Sequence, residues 1–237
     1  MKISYNGKGY CGWQKQINKK TIQGVLEEAM KKVLNCDIEV VASGRTDSDV
    51  SAICQVAHFD IDNVIPKGLV GHINSLLPDD IRVLDIELAK DSFHARFNAK
   101  LKTYKYYFYT GKVNNPYYDT FAHHTKYQLN YSTMQKAIKA LIGEHNFTSF
   151  CSVDTDVKSK VRVIKKAELK KTGDLYEFSI TGNGFLYNMV RIIVGTIIDI
   201  GRGKISMSID DIIKKEERKF AGVTVPAKGL VLFNVEY

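Results

Sequence analysis

The sequence is poor in cysteine and proline and contains no long apolar run. Four cysteines and four prolines occur in 237 residues, and no two cysteines form a Cys-x-x-Cys pair. Paired cysteines are the usual corners of a structural zinc site, so no metal is expected. No stretch approaches the roughly 18 apolar residues of a membrane span, and the first residues lack the apolar region of a signal peptide. We therefore expect reduced thiols and a cytoplasmic protein without a membrane anchor.

The overall composition is that of an ordinary globular chain. Hydrophobic residues make up 44% and charged residues 25%, which excludes collagen-like, low-complexity and largely disordered proteins. Lys and Arg number 34 against 26 Asp and Glu, a formal net charge of +8. Such an excess attracts polyanions. Many basic proteins simply have basic surfaces, so charge alone leaves nucleic-acid binding as one hypothesis among several.

The spacing of apolar residues predicts several helices. Residues 22–33 carry apolar side chains at the spacing of one helix face, and Thr21 is placed to cap that helix. Residues 185–200 are apolar on most faces and predict a buried helix. Ser132 is expected to cap a further helix, which Gly143 closes.

Apolar and β-branched segments predict strands in both halves of the chain, with a hairpin turn at 171–174. The strand candidates are residues 1–10, 38–42, 52–60, 82–88, 103–109, 161–170, 175–181 and 230–237. Strands and helices in each half predict an α+β fold. We expect two halves, 1–99 and 100–237, with mixed, mainly antiparallel sheets flanked by helices.

The densest polar segment of the first half is a loop between two predicted strands, residues 43–51 (SGRTDSDVS). Gly44 permits unusual backbone angles and Arg45 offers a planar guanidinium with five donors. Asp47 offers a carboxylate that the neighbouring guanidinium would keep ionised. Turns rich in Asp between strands are also common without any function. The residue types alone therefore leave a catalytic loop and a plain turn both open.

This loop and six further segments, in the same order along the chain, resemble the motifs of one enzyme family. Gly44-Arg45-Thr46-Asp47, followed by Gln55-Val56-Ala57-His58-Phe59, is similar to the signature of the TruA-type tRNA pseudouridine synthases. The further matches are Tyr5-Asn6-Gly7 with Gly12-Trp13-Gln14, Phe93-His94-Ala95-Arg96-Phe97, Lys102-Thr103-Tyr104, Gly143-Glu144-His145 with Phe147-Thr148-Ser149-Phe150, Met189-Val190-Arg191 and Gly229-Leu230.

The resemblance implies a pseudouridine synthase fold with the active-site cleft between the two halves. It implies an isomerase that converts uridine to pseudouridine in the anticodon stem-loop of tRNA, at tRNA positions 38 to 40. This reaction consumes no external reagent, so no cofactor and no metal are required. Members of the family recognise the folded shape of tRNA as homodimers. The expected partners are therefore tRNA and a second copy of the chain.

The resemblance also implies roles for five residues. Asp47 matches the catalytic nucleophile, which acts at the ribose C1′ or the uracil C6. Tyr104 matches the tyrosine that stacks on the target base, and Arg45 would orient the nucleotide or help to extrude the base. Arg191 matches a basic residue paired with the catalytic carboxylate. Leu230 resembles an apolar residue that lines the pocket.

Local sequence gives three of these residues a plainer interpretation. Tyr104 lies in a predicted strand with several other aromatics, where a tyrosine usually belongs to the core. Leu230 is a lone leucine at the start of a predicted strand, and such a residue usually belongs to the core as well. Arg191 could be a surface residue at the edge of its helix. Its place inside an apolar helix supports the match instead, because a guanidinium buried there needs a partner.

Two positions of the loop depart from the family pattern. Asp49 stands where the family has Gly, and Ser51 stands where it has His. Asp tolerates a left-handed backbone better than most residues, and neither change touches the nucleophile.

The alternative hypothesis is a catalytically silent tRNA-binding or RNA-chaperone protein on the same scaffold. Retention of Asp47, Tyr104 and Arg191 together favours the enzyme. Either function needs distributed positive charge. The candidates for RNA contact are Lys15, Lys19, Lys20, Arg96, Lys100, Lys102, Lys105, Lys158, Lys160, Arg162 and Lys165.

Overall fold

The computed structural model describes residues 1–62, 65–152 and 157–237. These residues form two compact units. The first unit contains Met1–Lys100 and Val231–Tyr237, and the second contains Leu101–Leu230. Among the described residues, no helix has both the length and the apolar character needed to cross a bilayer.

The described chain contains both strands and α-helices, and its strand pairings are mainly antiparallel, which confirms the predicted α+β class. In chain order they are β1 (Lys2–Tyr5), α1 (Ile22–Leu34), β2 (Val41–Ala42), β3 (Ser51–His58), α2 (Leu69–Leu76), β4 (Ile81–Asp85), β5 (Leu101–Thr110), β6 (His123–Thr125), α3 (Tyr131–Ala137), β7 (Gly143–Asn146), β8 (Val161–Thr172), β9 (Leu175–Gly182), α4 (Met189–Gly201), α5 (Ile209–Lys215) and β10 (Leu230–Glu236).

The sheet of the first unit has the strand order β4, β1, β3, β10. Strand β1 pairs antiparallel with both β3 and β4, β2 pairs antiparallel with the end of β3, and β10 pairs parallel with the start of β3. The last seven residues therefore belong with the first unit, although they are far from it in sequence. Ile3 and Tyr5 point into the core, because side chains alternate along a strand.

Helix α1 forms as its sequence predicts. The side chain of Thr21 caps it and accepts a hydrogen bond from the Gly24 N–H at 3.3 Å. Ile22, Leu26 and Met30 are at most 1% exposed, so the apolar face is buried.

The sheet of the second unit has the strand order β5, β9, β8, β7, and all three pairings are antiparallel. Strand β6 adds in parallel to β5. The predicted hairpin is confirmed, since Thr172 of β8 faces Leu175 of β9 across a tight turn. Gly173 has φ +58 in that turn, a backbone angle that suits glycine.

Two predicted helix starts are wrong. Helix α3 is capped by Asn130, whose side chain accepts from the Thr133 N–H at 3.0 Å, and not by Ser132. The Asn130 N–H donates to the Gly201 carbonyl at 2.8 Å, and this contact with the end of α4 sets the earlier start. Helix α4 begins at 189 rather than 185, because Asn188 before it has φ +60.

Helix α4 is the core element of the second unit, and every residue in it except Arg191 is buried. Gly195 lies against the backbone of 222–223, and a Cβ at Gly195 would overlap with the Val223 carbonyl oxygen. A Cβ at Gly222 would lie 2.6 Å from the Gly195 carbonyl carbon. The two backbones can therefore approach only because both positions are glycine.

We predict that Gly195→Ala destabilises the protein by about 1 to 3 kcal/mol, because the added methyl group forces the two segments apart. Gly71→Ala is the matched control, since Gly71 lies in helix α2 with open space around it. It should leave stability unchanged or raise it by up to about 1 kcal/mol. Urea unfolding of both variants measures this. Equal unfolding free energies for the two variants would contradict the close packing.

Candidate active site

The loop that carries Asp47 lies between β2 and β3 in the first unit, and backbone hydrogen bonds fasten it to residues 7–13. The Trp13 N–H donates to the Thr46 carbonyl at 3.0 Å, and the Asp49 N–H donates to the Tyr10 carbonyl at 3.3 Å. Within the loop, the Val50 N–H donates to the Asp47 carbonyl at 3.2 Å and closes a turn. Asp47 thus sits in a turn that is held at both ends.

Two glycines let the chain pass close to this loop. A Cβ at Gly12 would lie 2.6 Å from the Thr46 carbonyl oxygen, and Gly12 has φ +81. A Cβ at Gly7 would overlap with the Val50 carbonyl oxygen. Any side chain at these positions would push the loop away, so both glycines position Asp47 through its backbone.

Buried polar side chains support the loop from below. The Tyr5 hydroxyl lies 2.8 Å from Thr46 Oγ1, the Ser43 hydroxyl donates to Gln55 Oε1 at 2.7 Å, and Gln55 Nε2 donates to the Gly44 carbonyl at 2.9 Å. Tyr5 is 4% exposed and Gln55 is fully buried. Burial raises the pKa of Tyr5 to about 12, so its hydroxyl stays neutral near pH 7. A satisfied buried network of this kind makes the loop rigid.

The two positions that depart from the family pattern also hold the loop. Asp49 has φ +63, the left-handed conformation that its family counterpart, glycine, adopts freely. Its Oδ1 accepts from the Gly9 N–H at 3.1 Å. Ser51 Oγ accepts from the Gly7 N–H at 3.0 Å. Both side chains therefore tie the loop to residues 7–9.

Of the predicted site residues, two lie in this loop. Asp47 is half-buried and Arg45 is exposed. Burial in part restricts the Asp47 side chain, while exposure leaves the Arg45 guanidinium accessible to an anionic ligand.

The other three predicted site residues lie in the second unit, and Tyr104 is the first of them along the chain. It is half-buried on β5, opposite Ile180 of β9. Its ring meets the Phe185 ring edge to face, with centroids 5.1 Å apart and planes at 83°. This geometry is the one aromatic pairs favour, and it fixes the plane of the Tyr104 ring.

Arg191 lies in the first turn of α4 and is half-buried. Its Nε donates to the Val225 carbonyl at 2.8 Å, and its Nη1 donates to Asn188 Oδ1 at 2.7 Å. Asn188 in turn donates to Ser152 Oγ at 2.8 Å. The guanidinium is therefore held in one orientation by two partners within its own unit.

Residues 225–230 of the second unit contact both Arg191 and Tyr106. The Tyr106 hydroxyl donates to the Pro226 carbonyl at 2.7 Å, and Gly229 lies against the Tyr106 ring. Burial raises the pKa of Tyr106, and the positive charge of Arg191 opposes this rise. Tyr104 points to the same face of β5 as Tyr106, because the two are two positions apart in a strand. Leu230 ends the segment and is 7% exposed.

Sequence reasoning assigned no role to several residues that position the site. Gln55 and Asn188 are the clearest cases. The signal for Gln55 is a polar residue between the apolar Cys54 and Val56 of a strand, which must find buried partners. Asn188 precedes a long apolar helix, where an asparagine often takes a left-handed backbone.

Comparison with known proteins gives consistent matches. A family model described as "tRNA pseudouridine synthase" matches residues 1–98 and 137–237, which include Asp47 and Arg191 but not Tyr104. The tRNA pseudouridine synthase A of Bacillus subtilis (strain 168) is 46% identical over 239 residues, which cover 99% of this chain and 97% of that protein. The protein of the same name from Caldicellulosiruptor bescii is 45% identical over 237 residues, with 99% and 97% coverage.

A solved structure of a Cbf5-Nop10-Gar1 complex contains a chain that is also similar, but weakly. The TM-score is 0.35 at 11% sequence identity, and the match covers 84% of this chain and 54% of that one. A likeness of this size carries no argument about the fold or the function.

We predict that Asp49→Val lowers the free energy of unfolding by about 1 to 3 kcal/mol. A β-branched side chain is strained at φ +63, and the acceptor for the Gly9 N–H is lost. Asp49→Asn should unfold like the wild type, because asparagine tolerates this backbone and keeps the side-chain oxygen. Urea unfolding of the two variants checks this. The interpretation is wrong if valine and asparagine give the same stability.

Proposed function

The chain belongs to the tRNA pseudouridine synthase family, and we propose that Asp47 is the nucleophile of its reaction. The enzyme is an isomerase that converts uridine in tRNA to pseudouridine. In this reaction the bond between N1 and the ribose C1′ breaks and a bond between C5 and C1′ forms. The C5 proton leaves to solvent and N1 takes up a proton, so atoms and charge balance without a further reagent.

The rigid loop is the observation that carries the proposal for Asp47. A nucleophile gains rate from being held at the reacting atom, and misplacement by about 1 Å can cost a hundredfold. Asp47 is the half-buried carboxylate of a loop whose backbone is fixed by Trp13 and Gly12 and whose base is fixed by Gln55. This arrangement presents the Asp47 side chain from a fixed backbone.

Arg45 is proposed to orient the target nucleotide or to help extrude its base. It is exposed two residues before Asp47, where a guanidinium can reach a phosphate with two parallel hydrogen bonds. An enzyme that acts on a base in folded RNA must first take that base out of its stack. A cation beside the nucleophile can stabilise the distorted backbone that results.

Tyr104, Arg191 and Leu230 are proposed to bind the substrate. The Tyr104 ring plane is set by Phe185, so its face can receive a detached uracil by stacking. The Arg191 guanidinium is held by Val225 and Asn188 and supplies a fixed positive charge. Leu230 supplies an apolar wall that keeps water from the loose base.

The target positions, the location in the cell and the oligomeric state are proposed from the resemblance to the family. We propose that the modified uridines lie in the anticodon stem-loop, at tRNA positions 38 to 40. We propose also that the protein works in the cytoplasm as a homodimer. The alternative, a silent tRNA-binding or RNA-chaperone protein on this scaffold, would leave the rigid presentation of Asp47 without a use.

We predict that Asp47→Asn lowers kcat by about 10⁴-fold, because the amide keeps the shape of the side chain but loses its nucleophilic charge. Binding of tRNA should change less than threefold. Release of tritium from tRNA labelled at uracil C5 measures the reaction, and a filter-binding assay measures affinity. Ser48→Ala, an exposed neighbour, is the control and should retain activity. Full tritium release by Asp47→Asn would rule out Asp47 as the nucleophile, and no release by the wild type would favour the silent protein.

We predict that Tyr104→Phe keeps tRNA affinity within about threefold, since the stacking face remains, and slows a later proton transfer that uses the hydroxyl. Tyr104→Ala should weaken binding of the target base by about 1 to 3 kcal/mol. Binding and single-turnover kinetics of the two variants separate these effects. Equal loss of affinity in Phe and Ala variants would contradict a stacking role.

A further inference from the structure

A cluster of rings lies on the first unit outside the residues assigned to the reaction. The His58 and His94 rings have centroids 4.6 Å apart with planes at 57°, and the His94 and Phe97 rings have centroids 4.2 Å apart with planes at 31°. Arg96 lies over the Phe97 ring, with its guanidinium carbon 5.8 Å from the centroid. We call His58, His94, Arg96 and Phe97 the Phe97 platform.

The turn that carries this platform is rigid. His94 Nδ1 accepts from the N–H groups of Arg96 and Phe97 at 3.1 and 3.3 Å. His58 Nδ1 accepts from the Ala95 N–H at 3.2 Å, and the Ala95 carbonyl accepts from the Tyr237 hydroxyl at 2.7 Å. Burial and the neighbouring His94 lower the pKa of His58, which keeps this ring nitrogen free to accept.

The Phe97 end of the cluster is nevertheless open to solvent. Phe97 is 74% exposed, while Ala95 two residues earlier is fully buried. A phenylalanine on a mobile loop could fold back onto the surface, but this one is held outward by the hydrogen bonds of its own turn. The fold therefore holds this ring at a fixed position, in contact with His94 and Arg96 and still largely exposed.

The cation at the ring itself suits an anionic ligand. Arg96 is exposed and lies over the Phe97 ring, and Lys90 and Lys100 are exposed before and after the turn. The acids of the neighbourhood are Asp91, Asp60, whose charge acts on His58, and Glu236, whose carbonyl accepts from the Lys100 N–H. Sites for unpaired nucleotides combine a positive backbone contact with an aromatic face on which a base stacks. Arg96 and Phe97 provide these two elements side by side.

The platform is far from Asp47. The Asp47 loop precedes the start of β3 at Ser51, whereas His58 is the last residue of β3. A strand rises about 3.3 Å per residue, so the two ends of β3 lie about 23 Å apart. A base on Phe97 therefore cannot be the uridine that reacts.

We propose that the Phe97 platform is a second RNA-binding site, which stacks an unpaired base of the tRNA at the opposite end of β3 from the Asp47 loop. The inference rests on the proposed function, since it takes tRNA as the ligand. The site reads the folded shape of the substrate, because it accepts only an RNA with a target uridine and an unstacked base at this separation. Phe97 thus contributes to specificity and not to chemistry.

The test compares Phe97→Ala, Phe97→Leu and Phe97→Trp in steady-state kinetics with full-length tRNA. We expect KM to rise about 5- to 150-fold for alanine and leucine, while tryptophan keeps the wild-type KM, since leucine retains apolar bulk but has no π face. The kcat of all three should stay within about twofold. Val113→Ala, an apolar side chain of the second unit that is 78% exposed, is the matched control and should change neither parameter.

A fluorescence measurement supplies an independent readout. The chain has one tryptophan, Trp13, which is 1% exposed, so the tryptophan of Phe97→Trp adds an exposed fluorophore to a buried background. We expect tRNA to quench this added fluorescence by stacking. Because Phe97 is exposed, these variants should keep the wild-type melting temperature.

Three outcomes would overturn the proposal: an unchanged KM for Phe97→Ala, an equal KM for alanine and tryptophan, or no quenching of Phe97→Trp by tRNA. If Phe97→Ala has an unchanged KM but forms a smaller assembly in solution than the wild type does, the surface is a contact between copies of the chain. A wild type that binds tRNA but forms no pseudouridine would contradict the reaction itself, and quenching of Phe97→Trp would still test the platform.

Discussion

The close passage of residues 7–13 beside the Asp47 loop is the constraint on which the first unit depends. Gly7 and Gly12 bring two backbones to a distance that no side chain allows, and the Trp13 N–H then bonds the Thr46 carbonyl. The buried Tyr5 and Gln55 fill the space below. The position of the carboxylate is therefore set by main chain, which has few degrees of freedom, rather than by the packing of long side chains.

In the second unit too, a close approach of two backbones sets the position of a functional side chain, here one on helix α4. The close approach of Gly195 to Val223 seats α4 against the chain that leads to residues 225–230. Arg191 then bonds Val225, and Tyr106 bonds Pro226. A charged side chain on an otherwise buried helix is costly unless its donors are satisfied, and the Val225 carbonyl and Asn188 Oδ1 accept from the Arg191 guanidinium. The bonds to Val225 and Pro226 also hold the segment that leads to Leu230.

Much of this architecture could be predicted from the sequence, and the successes share one property. The Thr21 cap and the hairpin at 171–174 depend on contacts within a few residues, which a local pattern records. The start of α3 could not be predicted in this way. Ser132 and Asn130 are both capping residues, and the choice is made by a hydrogen bond from Asn130 to Gly201, at the far end of another helix.

In the candidate site, too, local features could be predicted from the sequence and contacts between distant segments could not. The motif around Asp47 is local and could be recognised, whereas the partners of Tyr5 and Gln55 lie across strand pairings that no local pattern records. Because the loop is held mainly through its backbone, the side chains at positions 49 and 51 are open to exchange. Aspartate at 49 keeps the left-handed backbone and gains the Gly9 N–H, and Ser51 gains the Gly7 N–H. Asp49 and Ser51 thus each add a contact of their own that holds the loop at the position of Asp47.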